Sequence, residues 1–95
     1  MARYRIVQWR GIPSLVEAED DDGPVRRPLS PRFQELIDAI AMRDGATDTE
    51  AYLEGWEQSA ERDQPGSAAA VAEAVAAGLE AEFAAVAARH LRLAT

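Results

Sequence analysis

The sequence has no cysteine, no lysine and no long unbroken hydrophobic run. Without cysteine there are no disulfides, thiolate nucleophiles or cysteine metal sites, which fits a reducing compartment. The longest apolar stretch, Ala68 to Ala88, is interrupted by three glutamates and is too rich in alanine for a membrane span. The N-terminal segment has only a short, broken apolar run, so it does not resemble a secretion signal. We therefore expect a cytoplasmic protein that does not enter membranes.

Positive charge is also scarce relative to negative charge. Ten basic side chains stand against 17 acidic ones, which leaves a formal net charge of −7. This charge opposes phosphate backbones and anionic membrane surfaces at long range. We expect neither nucleic acid nor a membrane as a partner.

What remains is ordinary globular composition, with 47% hydrophobic and 28% charged residues in 95 positions. A chain of this length can bury one compact core but not a core plus a separate substrate domain. The sequence therefore predicts a single domain over residues 1–95.

The first third predicts a β-hairpin followed by a loop. Tyr4 to Trp9 and Ser14 to Glu19 are β-rich runs separated by a turn around Gly11. Residues 20–29 combine three aspartates, a glycine and two prolines, a composition that disfavours regular structure. We predict that they form an exposed acidic and proline-rich loop.

Two helices follow from capping signals and apolar spacing. Ser30 with Pro31 begins a helix that runs to Arg43, and Ser67 begins an alanine-rich helix over Ala68 to Ala88. Residues 84–95 are the end of this second helix and a tail. The apolar stripes that would face the core are Phe33, Leu36, Ile37, Ile40 and Ala41 in the first helix, and Val71, Val75, Leu79, Phe83 and Val86 in the second.

The segment from Thr47 to Glu61 is ambiguous, because its aromatic residues fit both strand and helix spacing. We favour a strand, since a two-stranded hairpin is marginal in water and a third strand would give the helices a sheet to cover. The predicted fold is thus of the α/β class, an α+β two-layer domain of order ββαβα. Its three-stranded sheet carries both helices on one face.

Few residues are suited to catalysis. His90 is the only histidine, and near a helix C-terminus it is best explained by the helix dipole. The string from Glu17 to Asp22 offers oxygens for a cation but lacks the spacing of a calcium loop. Serine nucleophiles lack an elbow or lysine partner, and no glycine-rich phosphate cradle is present. We expect no stand-alone enzyme, metal or cofactor.

The predicted sheet has one face that no helix covers. Because strand side chains alternate, that face would carry aromatic, aliphatic and charged residues together. This mixture is typical of protein interfaces. The hypothetical partner-binding residues are Arg5, Val7, Trp9, Leu15, Tyr52, Glu54 and Trp56. The alternative is that Trp9 and Trp56 are ordinary core residues.

Four ordered blocks resemble the bacterial virulence factor family, whose domains stand alone or occur in larger proteins such as virulence factor C. They are Tyr4 to Pro13, Val16 to Asp20, Leu29 to Gln34 and Ala51 to Trp56. The resemblance extends from about Arg3 to Phe83 and implies no catalytic residues. It does imply an association of stand-alone members with folate and methyl-group metabolism.

The expected function is a non-enzymatic interaction or accessory domain that binds another bacterial protein, or a second copy of itself, through the aromatic sheet face. The alternative is an accessory or regulatory subunit of a one-carbon enzyme, with a pterin stacked on those aromatic residues and Arg5 or Arg10 supplying charge.

Overall fold

A computed structural model describes residues 1–46 and 48–92. Thr47, with which the predicted third strand begins, and residues 93–95 of the predicted tail lie outside the described residues. The described chain is α+β, which confirms the fold class. It has more elements than predicted: β1 (Ala2–Trp9), β2 (Ile12–Asp20), β3 (Gly23–Pro28), α1 (Pro31–Arg43), α2 (Thr49–Glu54), β4 (Trp56–Gln58), β5 (Arg62–Gln64), α3 (Ala68–Ala81) and α4 (Phe83–Arg92).

The strands form one antiparallel sheet of order β3-β2-β1-β4, with β5 also paired to β1. β1 and β2 are joined by a tight turn in which Arg10 and Gly11 have φ of 47° and 85°. Positive φ at both turn residues matches the type I′ geometry that suits the twist of a hairpin. The register shifts by one residue between Val7 and Gln8, a bulge that increases the local twist.

The prediction of a loop over residues 20–29 is wrong for residues 23–28, which form β3. Leu29 donates its N–H to the Ser14 carbonyl, and backbone direction alternates along a strand. Pro24 and Pro28 therefore lie where the backbone nitrogen faces the sheet edge rather than β2. Proline is tolerated at such edge positions because no ladder hydrogen bond is lost.

Helix α1 has the predicted bounds, with Ser30 at the N-cap position and Arg43 as its last residue. The prediction that the Ser30 side chain caps the helix is wrong, because its hydroxyl makes no capping hydrogen bond and donates to Glu80 instead. All five residues of its predicted apolar stripe are buried. The stripe packs on the sheet face that carries Val16 and Ala18, which are also buried. The first helix thus covers the sheet as the sequence indicates.

The second predicted helix is two helices, α3 and α4, which meet at Glu82. Near this junction the Arg32 side chain of α1 donates to the Glu80 carbonyl at 2.7 Å. The two helices pack against different parts of the fold. α3 lies on the sheet, while Phe83 of α4 meets Phe33 of α1 edge-to-face at 4.9 Å between ring centroids.

The segment from Thr49 to Glu54 is a helix, so the strand prediction is wrong there. Asp48 caps it by accepting from the Ala51 N–H at 2.9 Å. After α2, the short stretches Trp56–Gln58 and Arg62–Gln64 pair with β1. The additional strands are therefore short, and the aromatic residue Tyr52 lies on a helix instead of in the sheet.

Gly55, which ends α2, lies directly against Trp9. A Cβ atom at position 55 would be only 2.3 Å from the Trp9 Nε1 atom, although the backbone there has ordinary helical angles. At Gly78, inside α3, an added Cβ atom would meet no neighbour within 4 Å. The two glycines therefore form a matched pair, one crowded and one open.

We predict that Gly55→Ala lowers the free energy of unfolding by about 1 to 3 kcal/mol, because the methyl group must displace Trp9 or the helix end. Gly78→Ala should instead raise it by up to about 1 kcal/mol through helix propensity. Urea denaturation of both variants measures this difference. Equal effects of the two substitutions would contradict the close packing of Gly55 on Trp9.

Candidate functional site

The sheet face opposite α1 and α3, here called the outer face, is built from three strands in register. Its side chains lie in rows because directly opposed residues of paired strands point to the same side. One row joins Arg5 of β1, Glu17 of β2 and Arg26 of β3. Another row joins Val7, Leu15 and Pro28. The outer face therefore has a charged half and an apolar strip.

Ion pairs connect the strands across the charged half. Glu17 lies between Arg5, at 3.0 Å, and Arg26, at 3.6 Å. Arg3 contacts Glu19 at 3.0 Å and Glu61 at 3.8 Å. The Arg26 side chain is 67% exposed and that of Glu17 is 25% exposed. Exposed pairs of this kind contribute little to stability, so their charges are available to a partner.

These residues line a shallow groove of about 420 Å³ on the outer face. Arginine and glutamate side chains from three strands and from Glu61 surround it. Next to the groove, Val7 and Leu15 are half-buried and Pro28 is exposed. A small apolar centre beside charged side chains matches the composition of protein interfaces.

Trp9 does not belong to this open surface, and its predicted place on an exposed face is wrong. Its side chain is 0% exposed. The indole N–H donates to the Tyr52 carbonyl at 2.7 Å, and the ring stacks on that of Tyr52 at 5.7 Å. The reason is that the segment expected to form a strand folds as α2 and covers Trp9. A pterin ring therefore has no access to this indole.

The three other residues predicted for the aromatic face, Tyr52, Glu54 and Trp56, do not lie on the outer face either. Tyr52 is half-buried, and its hydroxyl accepts from the Gln34 side chain of α1 at 3.3 Å. Trp56 is half-buried and contacts Tyr52 edge-to-face at 5.9 Å. Glu54 is exposed at the end of α2. The structure thus keeps Arg5, Val7 and Leu15 together and assigns the remaining four residues to the surroundings of α2.

Arg3, Arg26 and Glu61 of the outer face are absent from the residues predicted from sequence. Arg26 lies in the segment taken for a loop, so its alignment with Glu17 was hidden. The Asp-Gly pair at positions 22 and 23 is a hairpin-turn signal that the loop prediction did not use, and in the structure Pro24, Arg26 and Pro28 alternate with the half-buried Val25 and Arg27. This pattern after an Asp-Gly turn is typical of an edge strand.

Carboxylates with a lowered pKa are bound by structural partners. The pKa of Glu80 is lowered because its carboxylate accepts from the Ser30 hydroxyl at 2.7 Å and the Ser30 N–H at 2.6 Å, with Arg32 close by. The pKa of Asp20 is lowered by the N–H groups of Ala68 and Asp22. Each carboxylate secures the start of a helix or a turn, which leaves it unsuited to proton transfer.

The acidic string and His90 also have structural partners. Asp20 accepts from the first N–H of α3 at 2.7 Å, so it joins the β2–β3 turn to that helix. Among residues 1–46 and 48–92, no cluster of three acidic or histidine side chains could hold a metal ion. His90 places one ring nitrogen 3.0 Å from the Val86 carbonyl and the other 3.2 Å from the Arg10 carbonyl. It connects α4 to the β1–β2 turn.

The fold and this surface define a small α+β domain with one sheet face under helices and one open, charged face. In the part of the chain that the structure describes, no helix is long and apolar enough to cross a membrane. The chain belongs to the virulence factor family, whose profile matches residues 7–91. This range includes His90, which the sequence resemblance left outside. No curated protein and no solved structure matches the chain.

The burial of Trp9 predicts its fluorescence. In a Trp56→Phe variant only Trp9 emits, and its spectrum should be blue-shifted and resistant to iodide, since the indole is shielded from solvent. Unfolding in urea should shift the emission to the red and restore quenching. Red-shifted, readily quenched emission from the folded variant would contradict the placement of Trp9 under α2.

The contribution of the Glu80 carboxylate to the free energy of unfolding should depend on pH. Because its pKa in the folded state lies below the ordinary value of 4.5, its contribution is present above that pH and is lost as the pH falls through the folded-state pKa. The difference in free energy of unfolding between the wild type and Glu80→Gln should be largest near neutral pH and shrink as the pH falls below 4.5. A difference that stays constant with pH would contradict this role.

Proposed function

We propose that this member of the virulence factor family is a protein-interaction domain without catalytic activity of its own, and that it binds its partner through the outer face. The observation that carries the proposal is the open row of Arg5, Glu17 and Arg26 beside the apolar strip of Val7 and Leu15. Arginine is enriched among the residues that carry most of the binding energy of an interface, and apolar side chains form the centre of such interfaces.

The sheet edges support the face as the binding surface. Strand addition needs a row of unpaired N–H and C=O groups on an edge strand. β3 has proline at two of its three edge-facing nitrogens, positions 24, 26 and 28. On the other side of the sheet, β4 and β5 have three residues each. Both edges are therefore poor templates for an added strand, whereas the outer face is broad and accessible.

We propose no catalytic role because the side chains best suited to acid–base catalysis are already hydrogen-bonded to other groups of the protein. Glu80 and Asp20 hold helix starts, and both ring nitrogens of His90 face backbone carbonyls. A general base needs a lone pair directed at a substrate. The ion pairs of the outer face, by contrast, are solvent-accessible and can exchange partners.

An affinity capture with matched variants tests the proposal. The tagged domain, its Leu15→Glu/Arg26→Glu variant and a Leu53→Glu control are incubated with extract of a bacterium that encodes the chain. Leu53 is 60% exposed on α2, away from the outer face. Captured proteins are identified by mass spectrometry, purified and measured by titration calorimetry.

We expect a partner that binds the wild type and the control alike but binds the outer-face variant at least about tenfold more weakly, as for the loss of an interface hot spot. Circular dichroism confirms that all three proteins are folded. Equal affinity for all three would show that the outer face is not the binding surface.

A further inference from the structure

Charge alternates in columns across the strands of the outer face. β1 presents Arg3 and Arg5, and β2 presents Glu19 and Glu17 in the same rows. β3 presents Arg26 beyond Glu17. On the opposite side of β1, β5 presents Asp63 beside Arg3. The order from β3 to β5 is therefore positive, negative, positive and negative.

A twofold axis parallel to the strands, placed above the boundary between β1 and β2, reverses this order. It sets β1 of one copy over β2 of the other and β3 over β5. The two central columns then face columns of opposite charge. In the outer columns, Arg26 and Asp63 lie in neighbouring rows, so Asp63 faces Pro24, and Arg26 faces the segment between β4 and β5 that contains Glu61. The rows keep their heights along the axis, so Arg5 of one copy faces Glu17 of the other. In the apolar strip, Val7 of one copy faces Leu15 of the other.

We propose that the partner seated on the outer face is a second copy of this chain, bound face to face about this twofold axis. The proposal rests on the proposed interaction function and names its partner. An interface of this symmetry must be self-complementary, and the column order meets that requirement in charge as well as in the apolar strip. Two such sheets pack with an aligned geometry and about 10 Å between them.

The size of the face sets the expected strength. With strands about 4.8 Å apart and about 3.3 Å per residue along each strand, the face covers roughly 400 Å² per copy. Stable interfaces bury about 800 Å² per partner. The net charge of −7 also opposes encounter at long range. We therefore expect a weak, reversible dimer that forms at high protein concentration.

The first measurement is the molar mass of the wild type by sedimentation equilibrium in about 0.15 M salt, where charge repulsion is screened beyond about 8 Å. The mass should rise from one chain toward two as the concentration approaches about 1 mM. A mass that stays at one chain throughout would overturn the proposal. Capture of a different protein by the same face would then leave the interaction function intact.

A charge exchange tests the axis. In Arg5→Glu alone or Glu17→Arg alone, each interface contact at these positions pairs like charges, so each variant should be monomeric. In a mixture of the two, every such contact again joins opposite charges, so a heterodimer should form. Leu53→Glu should dimerise as the wild type does. Single variants that dimerise unchanged would overturn the proposed surface.

Cysteine crosslinking covers the case in which the charge variants fail to fold. The chain has no cysteine, so Val7→Cys and Leu15→Cys each introduce a single thiol on the apolar strip. Because facing sheets are about 10 Å apart and a disulfide needs Cα atoms within about 7 Å, the thiols are joined with a short bifunctional maleimide instead of by oxidation. The mixture should give more crosslinked dimer than either variant alone, since position 7 faces position 15 across the axis. Equal yields in all three samples would overturn the proposed arrangement.

Discussion

The fold depends on the burial of the Trp9 side chain. A buried indole needs an acceptor for its N–H, and here the acceptor is the carbonyl of Tyr52, 2.7 Å away. That bond requires the chain after α1 to place a helix end over β1, with a glycine at position 55 to let the backbone approach. The segment therefore cannot be a third long strand. The short strands β4 and β5 follow from the same constraint.

Because α2 covers Trp9, the aromatic cluster around α2 is separate from the outer face. Around α2, the rings of Trp9, Tyr52 and Trp56 contact one another and stabilise the end of the sheet. On the part of the sheet away from α2, from Arg3 to Val7 of β1, the outer face has arginines, glutamates and a narrow apolar strip. In the proposed interface, binding energy is expected from paired charges and aliphatic side chains. The aromatic residues support the surface from its border.

The sequence allowed α1, the β1–β2 hairpin and the α+β class to be predicted, because capping residues and apolar spacing act locally. The break at Glu82 has no glycine or proline to mark it in the sequence, and α4 packs on α1 through the tertiary contact of Phe83 with Phe33. β3 was hidden because prolines disfavour strands except at an edge, and edge status is a tertiary property. Three of the seven proposed site residues, Arg5, Val7 and Leu15, lie together on the outer face. Tyr52 and Glu54 depended on a strand where α2 forms, Trp9 is covered by that helix, and Trp56 lies half-buried in the short strand β4.

Two copies of the domain are proposed to associate through the outer face. A dilution series of amide nitrogen and proton NMR spectra tests this without altering any residue. The predicted result is that concentration shifts the amides of the β1, β2 and β3 rows that carry Arg5, Glu17 and Arg26, while amides of α2 stay in place. Shifts centred on α2 or α4, with the outer face unchanged, would contradict the account.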